Sequence, residues 1–190
     1  PGEVFRGRDA SRQLMRRWLR GSPDGEVEVR RVAATADGAT VEYEGHGTHT
    51  SGTLGAVSDN GQGITAVAPK VRILACKFIR STGTGSDADA IECFNYIVAL
   101  KQRGVNIRVT NNSWGALRGQ FFPAALKNAV DAAGAAGIVN VFAAGNDGVN
   151  IDNIPHDPAS FTSPSIVSVA ASTRLAPAGR AGSSNFGSRW

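Results

Sequence analysis

Short apolar runs recur from residue 71 onward and predict buried strands. Residues 71–79 (VRILACKFI) are mostly apolar and include β-branched side chains, and residues 138–144 (IVNVFAA) are a similar run. Residues 107–112 (IRVTNN), with three β-branched side chains, predict another strand between them. Runs of this length, bounded by turn residues, are typical of strands buried in a sheet. Residues 165–171 (SIVSVAA) predict a fourth strand on the same grounds.

Helical patterns lie between these strands. Residues 87–103 carry apolar side chains at helical spacing, with a Ser-Asp pair in front that can cap the helix and a glycine behind that can end it. Residues 123–136 begin with a proline, which suits the first turn of a helix, and are followed by a glycine. A short helix of small residues is predicted over residues 47–57.

The alternation of strands and helices predicts an α/β fold. We expect a three-layer domain with a mostly parallel, doubly wound sheet and helices on both faces, because parallel neighbours are joined by right-handed crossovers. Ligands of such sheets bind beyond the carboxyl ends of the strands. Residues that directly follow the second and third predicted strands are therefore expected to lie at one rim.

Three short motifs carry candidate chemistry. They are residues 45–53 (GHGTHTSGT), 111–115 (NNSWG) and 143–148 (AAGNDG). His46 has small neighbours, and an imidazole can take and return a proton near neutral pH. The carboxamide of Asn146 can donate a hydrogen bond to an oxygen that becomes negative during a reaction.

In this order, the three motifs resemble those of the subtilisin-like serine peptidases, the subtilases. Residues 46–53 match the family pattern His-Gly-Thr-His-small-small-Gly-Thr at every position. The resemblance implies that His46 is the catalytic base, that His49 is structural and that Asn146 is the oxyanion donor. It also implies a truncated subtilisin-like fold and a polypeptide substrate hydrolysed through a Ser/His/Asp mechanism.

The same resemblance implies a substrate cleft, in which an extended peptide adds to a strand-like edge through main-chain hydrogen bonds. The substrate-binding residues that it implies are Ser113, Trp114, Gly115, Gly83, Gly85, Ala143, Ala144 and Gly145. Ala116 stands where many relatives have a second glycine, which narrows the expected pocket. A cis peptide bond is expected before Pro158, next to this pocket.

Two parts of the family pattern are not identified. No Asp-Thr-Gly or Asp-Ser-Gly precedes His46, and the Gly-Thr-Ser of the nucleophile is absent. The resemblance therefore covers about residues 42–187, the middle of a catalytic domain. We expect a divergent basic segment over residues 1–40, a partial catalytic domain over residues 41–190, and no peptidase activity of this chain alone.

Composition narrows the remaining function classes. The chain has 190 residues, of which 42% are hydrophobic and 19% charged, as in a soluble globular domain. Its net charge of +4 is concentrated in residues 1–31, which hold eight arginines against five acidic residues. Residues 6–20 predict a basic amphipathic helix, interpreted as a surface helix or a propeptide remnant rather than as a module that binds an anionic polymer. Since no membrane-span-like run or nucleic-acid motif is seen, neither a membrane nor a nucleic acid is an expected partner.

Cysteines and possible metal ligands add little. Cys76 and Cys93 are interpreted as two buried free thiols rather than as a bridge, so they leave the compartment open and only the family resemblance favours secretion. His46 and His49 are three residues apart, but zinc normally takes a third protein ligand. Residues 59–63 lie where some relatives bind calcium and read equally well as a polar turn. No metal or cofactor is assigned.

A second class of function stays open. A non-catalytic subtilase relative that binds peptides or a partner would carry the same three motifs. Neither cleavage specificity nor oligomeric state follows from the sequence.

Overall fold

The structure, a computed structural model, describes residues 44–61, 64–79, 83–174 and 179–188. All of them belong to the second of the chain's two units, Val32–Trp190. The basic segment predicted for residues 1–40 lies outside the described residues.

The described part of the chain holds helices and strands in the alternation that the sequence predicts. The helices are α1 (Glu44–Gly55), α2 (Asp87–Gln102) and α3 (Ala124–Ala135), and the strands are β1 (Val109–Asn112), β2 (Ala116–Leu117), β3 (Val139–Ala143), β4 (His156–Asp157) and β5 (Ile166–Val169). Each of the three predicted helices is confirmed to within three residues at either end.

The central sheet is parallel. Its strands lie in the order β1-β3-β5, with Asn112 opposite Phe142 and Ala143 opposite Val169. This arrangement confirms the predicted α/β class with a parallel sheet. The short strands β2 and β4 pair antiparallel to each other, which the sequence did not predict.

Helices α2 and α3 pack together on one face of the sheet around a shared core. Fully buried members of this core include Val130, Ala133 and Phe142. Helix α2 begins at its predicted cap, where the Ser86 hydroxyl accepts a hydrogen bond from the backbone N–H of Asp89 (3.1 Å). Outward-facing valines on the opposite face of the three strands keep 39–49% of their surface exposed: Val109, Val139, Val167 and Val169.

The strand predicted for residues 71–79 is wrong. These residues are irregular in the structure, although Leu74 and Phe78 pack against the core. The apolar pattern reports the burial of side chains, which strands and irregular segments share, and it does not report whether the backbone pairs with a neighbour.

The interpretation of the cysteines as free thiols is also wrong. Cys76 and Cys93 form a disulfide with their Cα atoms 6.1 Å apart, a spacing typical of disulfides. The segment that contains Cys76 is thereby tied to α2. Residue spacing along the chain could not show this, because the two cysteines meet only through the fold.

We predict that replacing both cysteines by serine lowers the free energy of unfolding by about 3 kcal/mol, because the bridge closes a short loop in the unfolded chain. Urea unfolding of the oxidised protein and of the Cys76→Ser, Cys93→Ser variant measures the difference. A reducing agent should destabilise the wild type and leave the double variant unchanged. Two free thiols per chain, titrated in unreduced unfolded protein, would contradict the bridge.

Candidate active site

Two of the three motifs meet at one rim of the sheet. Because Asn112 lies opposite Phe142 in the parallel pair of β1 and β3, Ser113 and Ala143 follow at neighbouring positions on the two adjacent strands. The backbone N–H of Ala144 then donates to the carbonyl of Val169 at the end of β5 (2.9 Å). The segments 113–115 and 143–146 therefore start from adjacent strand ends, as the sequence predicted.

A buried row of polar side chains crosses the sheet beneath this rim. The Asn112 amide donates to the Thr110 hydroxyl (2.8 Å) and to the carbonyl of Val141 (3.1 Å). Thr110 in turn donates to the side-chain oxygen of Asn140 (2.8 Å), whose amide reaches the hydroxyl of Ser165 (3.2 Å). We call these four side chains (residues 110, 112, 140 and 165) the polar ladder.

The Trp114 ring packs between Phe142 of β3 and Phe78, which lies next to Gly85 on the opposite edge of the expected cleft. It meets Phe142 edge-on at 5.6 Å between centroids and Phe78 at 5.0 Å. Phe78 also fills the space beside Gly85, because a Cβ at Gly85 would lie 2.9 Å from the Phe78 ring. Gly83 is exposed with a φ of +79°, a conformation that favours glycine.

The imidazole of His156 lies between the two implied substrate segments. A Cβ at Gly115 would lie 2.5 Å from its Cε1, and a Cβ at Gly145 would lie 2.7 Å from its Nε2. His156 is 6% exposed and belongs to β4, where it pairs with Leu117. The sequence motifs do not include this histidine, and its position was not predicted. Its closeness to Pro158, already linked to the pocket, was the available signal.

The surroundings of His156 favour a neutral ring. Burial lowers the pKa of His156, and the carboxylates of Asp147 and Asp157 oppose this shift in part. Nε2 lies 4.0 Å from a carboxylate oxygen of Asp147, whereas Nδ1 is buried without a hydrogen-bond partner among the described residues. The His156 ring is therefore uncharged near neutral pH.

A half-buried ion pair holds β4 against the end of β2. The Arg118 guanidinium donates to both carboxylate oxygens of Asp157, from Nε at 2.6 Å and from Nη2 at 2.7 Å. These bonds raise the pKa of Arg118, and its guanidinium also lies 4.9 Å from the centroid of the Phe122 ring. The cis peptide bond expected between Asp157 and Pro158 is confirmed.

The candidate oxyanion donor lies on an open turn. Gly145 has a φ of +104°, in the region that favours glycine, and Asn146 follows it with an exposed side chain. Asn185, which is fully buried, bonds to residues on both sides of Asn146. The sequence analysis did not select Asn185. It lies outside the three motifs, so neither a motif nor a spacing marks it.

The candidate base lies on α1. His46 is half-buried and His49 is exposed on this helix, where Ser51 donates to the carbonyl of Gly47 (2.6 Å). The helix is joined to the following segment by the N–H of Ala68, which donates to the carbonyl of Leu54 (3.0 Å). The position of His46 relative to Asn146 stays a prediction.

The described ranges contain no group of three or more His, Cys, Asp or Glu residues that could hold a metal ion. In the candidate calcium segment, Asp59 and Gly61 adopt positive φ values of 58° and 66°, as in a turn, and calcium stays unassigned. None of the helices in the described ranges is long and apolar enough to cross a membrane.

Comparison with known proteins identifies the family. A sequence model of the Subtilase family matches residues 13–190. Since this match takes in most of the chain, the chain belongs to the subtilase family, and the resemblance inferred from its motifs is confirmed.

Individual relatives show the extent of the likeness. Subtilisin DY of Bacillus licheniformis is 42% identical over 104 residues, which are 55% of this chain and 35% of that protein. Subtilisin-like protease 7 of Trichophyton verrucosum is 36% identical over 152 residues, which are 80% of this chain and 34% of that protein. The chain thus spans about a third of the length of these curated relatives.

Solved structures support the fold. The structure of Sphericase matches with a TM-score of 0.66 and 20% identity, over 82% of this chain and 62% of that one. At this identity the likeness shows the fold alone. It agrees with the subtilisin-like α/β fold that the sequence predicted.

We predict that Gly145→Ala destabilises the protein more than Gly137→Ala does. Both glycines have positive φ values, but a Cβ at Gly145 would overlap with His156 and Asn185, whereas nothing lies within 4 Å of one at Gly137. The overlap should add about 1–3 kcal/mol to the loss of stability. Urea unfolding of both variants measures this difference, and equal losses would show that the turn is not packed as described.

We predict a pH dependence of stability that comes from His156. Because burial lowers its pKa below the ordinary value of 6.5, the folded protein binds this proton less tightly than the unfolded chain does. The contribution to stability is fully present above pH 6.5 and is lost as the pH falls towards the lowered pKa.

The free energy of unfolding, measured from pH 7.5 down to about pH 5, tests this expectation. His156→Gln should flatten the profile in that range. His49→Gln, at an exposed position on α1, is the matched control and should keep the wild-type slope. The same slope in the His156→Gln variant as in the wild type would contradict the assignment.

Proposed function

We propose that this chain is the central part of a subtilisin-like serine endopeptidase and that it contributes the base, the oxyanion donor and the substrate cleft. The observation that supports the proposal is the parallel register of β1 and β3, from which residues 113–115 and 143–146 continue at adjacent strand ends. Membership of the subtilase family supports the assigned chemistry.

In the proposed reaction, an extended peptide lies along residues 113–115 and forms main-chain hydrogen bonds with them. His46 takes the proton of the serine nucleophile and later gives it to the leaving amine. The carboxamide of Asn146 donates to the oxygen that becomes negative in the tetrahedral intermediate. The serine and the aspartate that orients His46 are not identified in this chain, so the complete reaction is proposed for the longer protein.

His156 and Ala116 shape the proposed pocket. The His156 ring takes up space beside Gly115 and Gly145, and Ala116 carries a methyl group where many relatives have glycine. Because both groups reduce the room for the first substrate side chain, we expect a preference for small residues there.

An oxidising compartment outside the cytoplasm is part of the proposal. The Cys76–Cys93 disulfide supports it, because disulfides persist mainly in such compartments.

We predict that, in the longest natural protein that contains this chain, Asn146→Leu lowers kcat for a peptide substrate by about 10²–10³ and changes KM little. This is the loss that subtilisin itself shows when its oxyanion donor is removed. The matched control is Asn128→Leu, at an exposed position on α3, which should keep the wild-type kcat. Steady-state kinetics on a chromogenic peptide measure both variants.

Two outcomes would overturn the proposal. Equal activity of the Asn146→Leu variant and the wild type would remove Asn146 from the reaction. A wild-type protein that binds peptides without hydrolysing them would support the alternative of a non-catalytic, peptide-binding relative.

A further inference from the structure

We propose that Asn185 is a positioning residue for the reaction, which fixes the turn that carries Asn146. The inference rests on the proposed function, because it assigns a role to Asn185 through the oxyanion donor. Asn185 lies 39 positions after Asn146 in the sequence (185 − 146), and no sequence motif links the two.

The hydrogen bonds of Asn185 enclose the turn from both sides. Its side-chain oxygen accepts from the backbone N–H groups of Asp147 (2.9 Å) and Val149 (3.2 Å). Its side-chain amide donates to the carbonyl of Ala144 (2.9 Å). The residues before and after the Gly145–Asn146 pair are therefore bound to one side chain.

The backbone of Asn185 also bonds to Gly145, which lies between these contacts in the sequence. Its N–H donates to the carbonyl of Gly145 (3.0 Å), and its side-chain amide occupies the space that a Cβ at Gly145 would need. Asn185 is 0% exposed, so water cannot replace these bonds if they are lost. The turn consequently has little freedom to move relative to Asn185.

The amide of Asn185 also bonds to the carboxylate of Asp147 (3.0 Å), the same carboxylate that lies 4.0 Å from the Nε2 of His156. The side chain of residue 185 must therefore both accept from backbone N–H groups and donate to oxygens. Aspartate keeps only the accepting half and adds a negative charge beside Asp147. Leucine, of similar size, provides neither.

The segment that contains Asn185 is itself held firmly. Ser184 accepts from the N–H of Ala171 (2.9 Å) and donates to the carbonyl of Asn185 (3.1 Å). The N–H of Gly148 donates to Ser183 (2.9 Å), and the N–H of Phe186 donates to Val149 (3.0 Å). The bond between Ser184 and Ala171 therefore holds the Asn185 segment independently of the turn, and the bonds of Gly148 and Val149 tie the turn to this segment.

Rigid support matters because an oxyanion donor works when it is already in place. A donor aimed at the developing charge stabilises the transition state without reorganisation at the moment of reaction. A displacement of about 1 Å can lower the rate about 10²-fold. We infer that Asn185 keeps the carboxamide of Asn146, which is exposed, aimed into the cleft.

The first test is a double-mutant cycle in the longest natural protein that contains this chain. Asn185→Leu should lower kcat by about 10- to 100-fold with little change in KM. In the Asn146→Leu background, the same change should have little further effect on kcat, because Asn185 acts through Asn146. Ser168→Ala is the control, since Ser168 is half-buried on β5 and its hydroxyl donates to the carbonyl of Ala159 instead of to the turn or to the Asn185 segment. Losses of kcat that simply add in the cycle would overturn the proposal.

The second test does not depend on activity. Amide hydrogen exchange in the 190-residue chain should be faster at Asp147 and Val149 in Asn185→Leu than in Ser168→Ala. If the leucine variant does not fold, Asn185→Asp decides, because it should keep both amides protected while kcat falls. Unchanged exchange in the leucine variant, or an unchanged kcat in a folded aspartate variant, would overturn the proposal. If exchange is faster in the leucine variant but the wild-type protein has no peptidase activity, Asn185 still supports the turn, and it is the proposed function that is refuted.

Discussion

Thr110, Asn112 and Asn140 place hydrogen-bonding groups in a part of the sheet that is at most 5% exposed. Leaving one such group without a partner costs about 1–3 kcal/mol. The polar ladder satisfies these groups across β1, β3 and the start of β5 only in the observed register. A slip of one residue would turn these side chains to the opposite face, so the ladder fixes which strand ends lie together. The candidate site depends on that constraint.

Two buried side chains next to this rim fix the positions of the segments that follow β1 and β3. His156 and Asn185 both occupy the space that a side chain at Gly145 would need. His156 sets the room between the two implied substrate segments, and Asn185 holds the turn that follows β3. The carboxylate of Asp147 lies next to both and so connects His156 with Asn185.

The local sequence pattern predicted much of this fold, because helical spacing, helix caps and apolar runs each depend only on residues that are close together in the sequence. Helix α2, with its Ser86 cap, and the parallel strands β1, β3 and β5 follow from such signals. The disulfide, the irregular path of residues 71–79 and the roles of His156 and Asn185 depend on contacts between distant residues. No spacing along the chain encodes those contacts, and for the cis bond before Pro158 only family resemblance supplied the signal.

The most direct measurement is a crystal structure of the longest natural protein with a peptide boronate bound covalently. We expect the main chain of the inhibitor beside residues 113–115 and a boronate oxygen about 2.7–3.1 Å from the carboxamide nitrogen of Asn146. We also expect His46 within hydrogen-bonding distance of the boronate group. An inhibitor bound away from this rim, or an Asn146 side chain turned away from the boronate, would contradict the account.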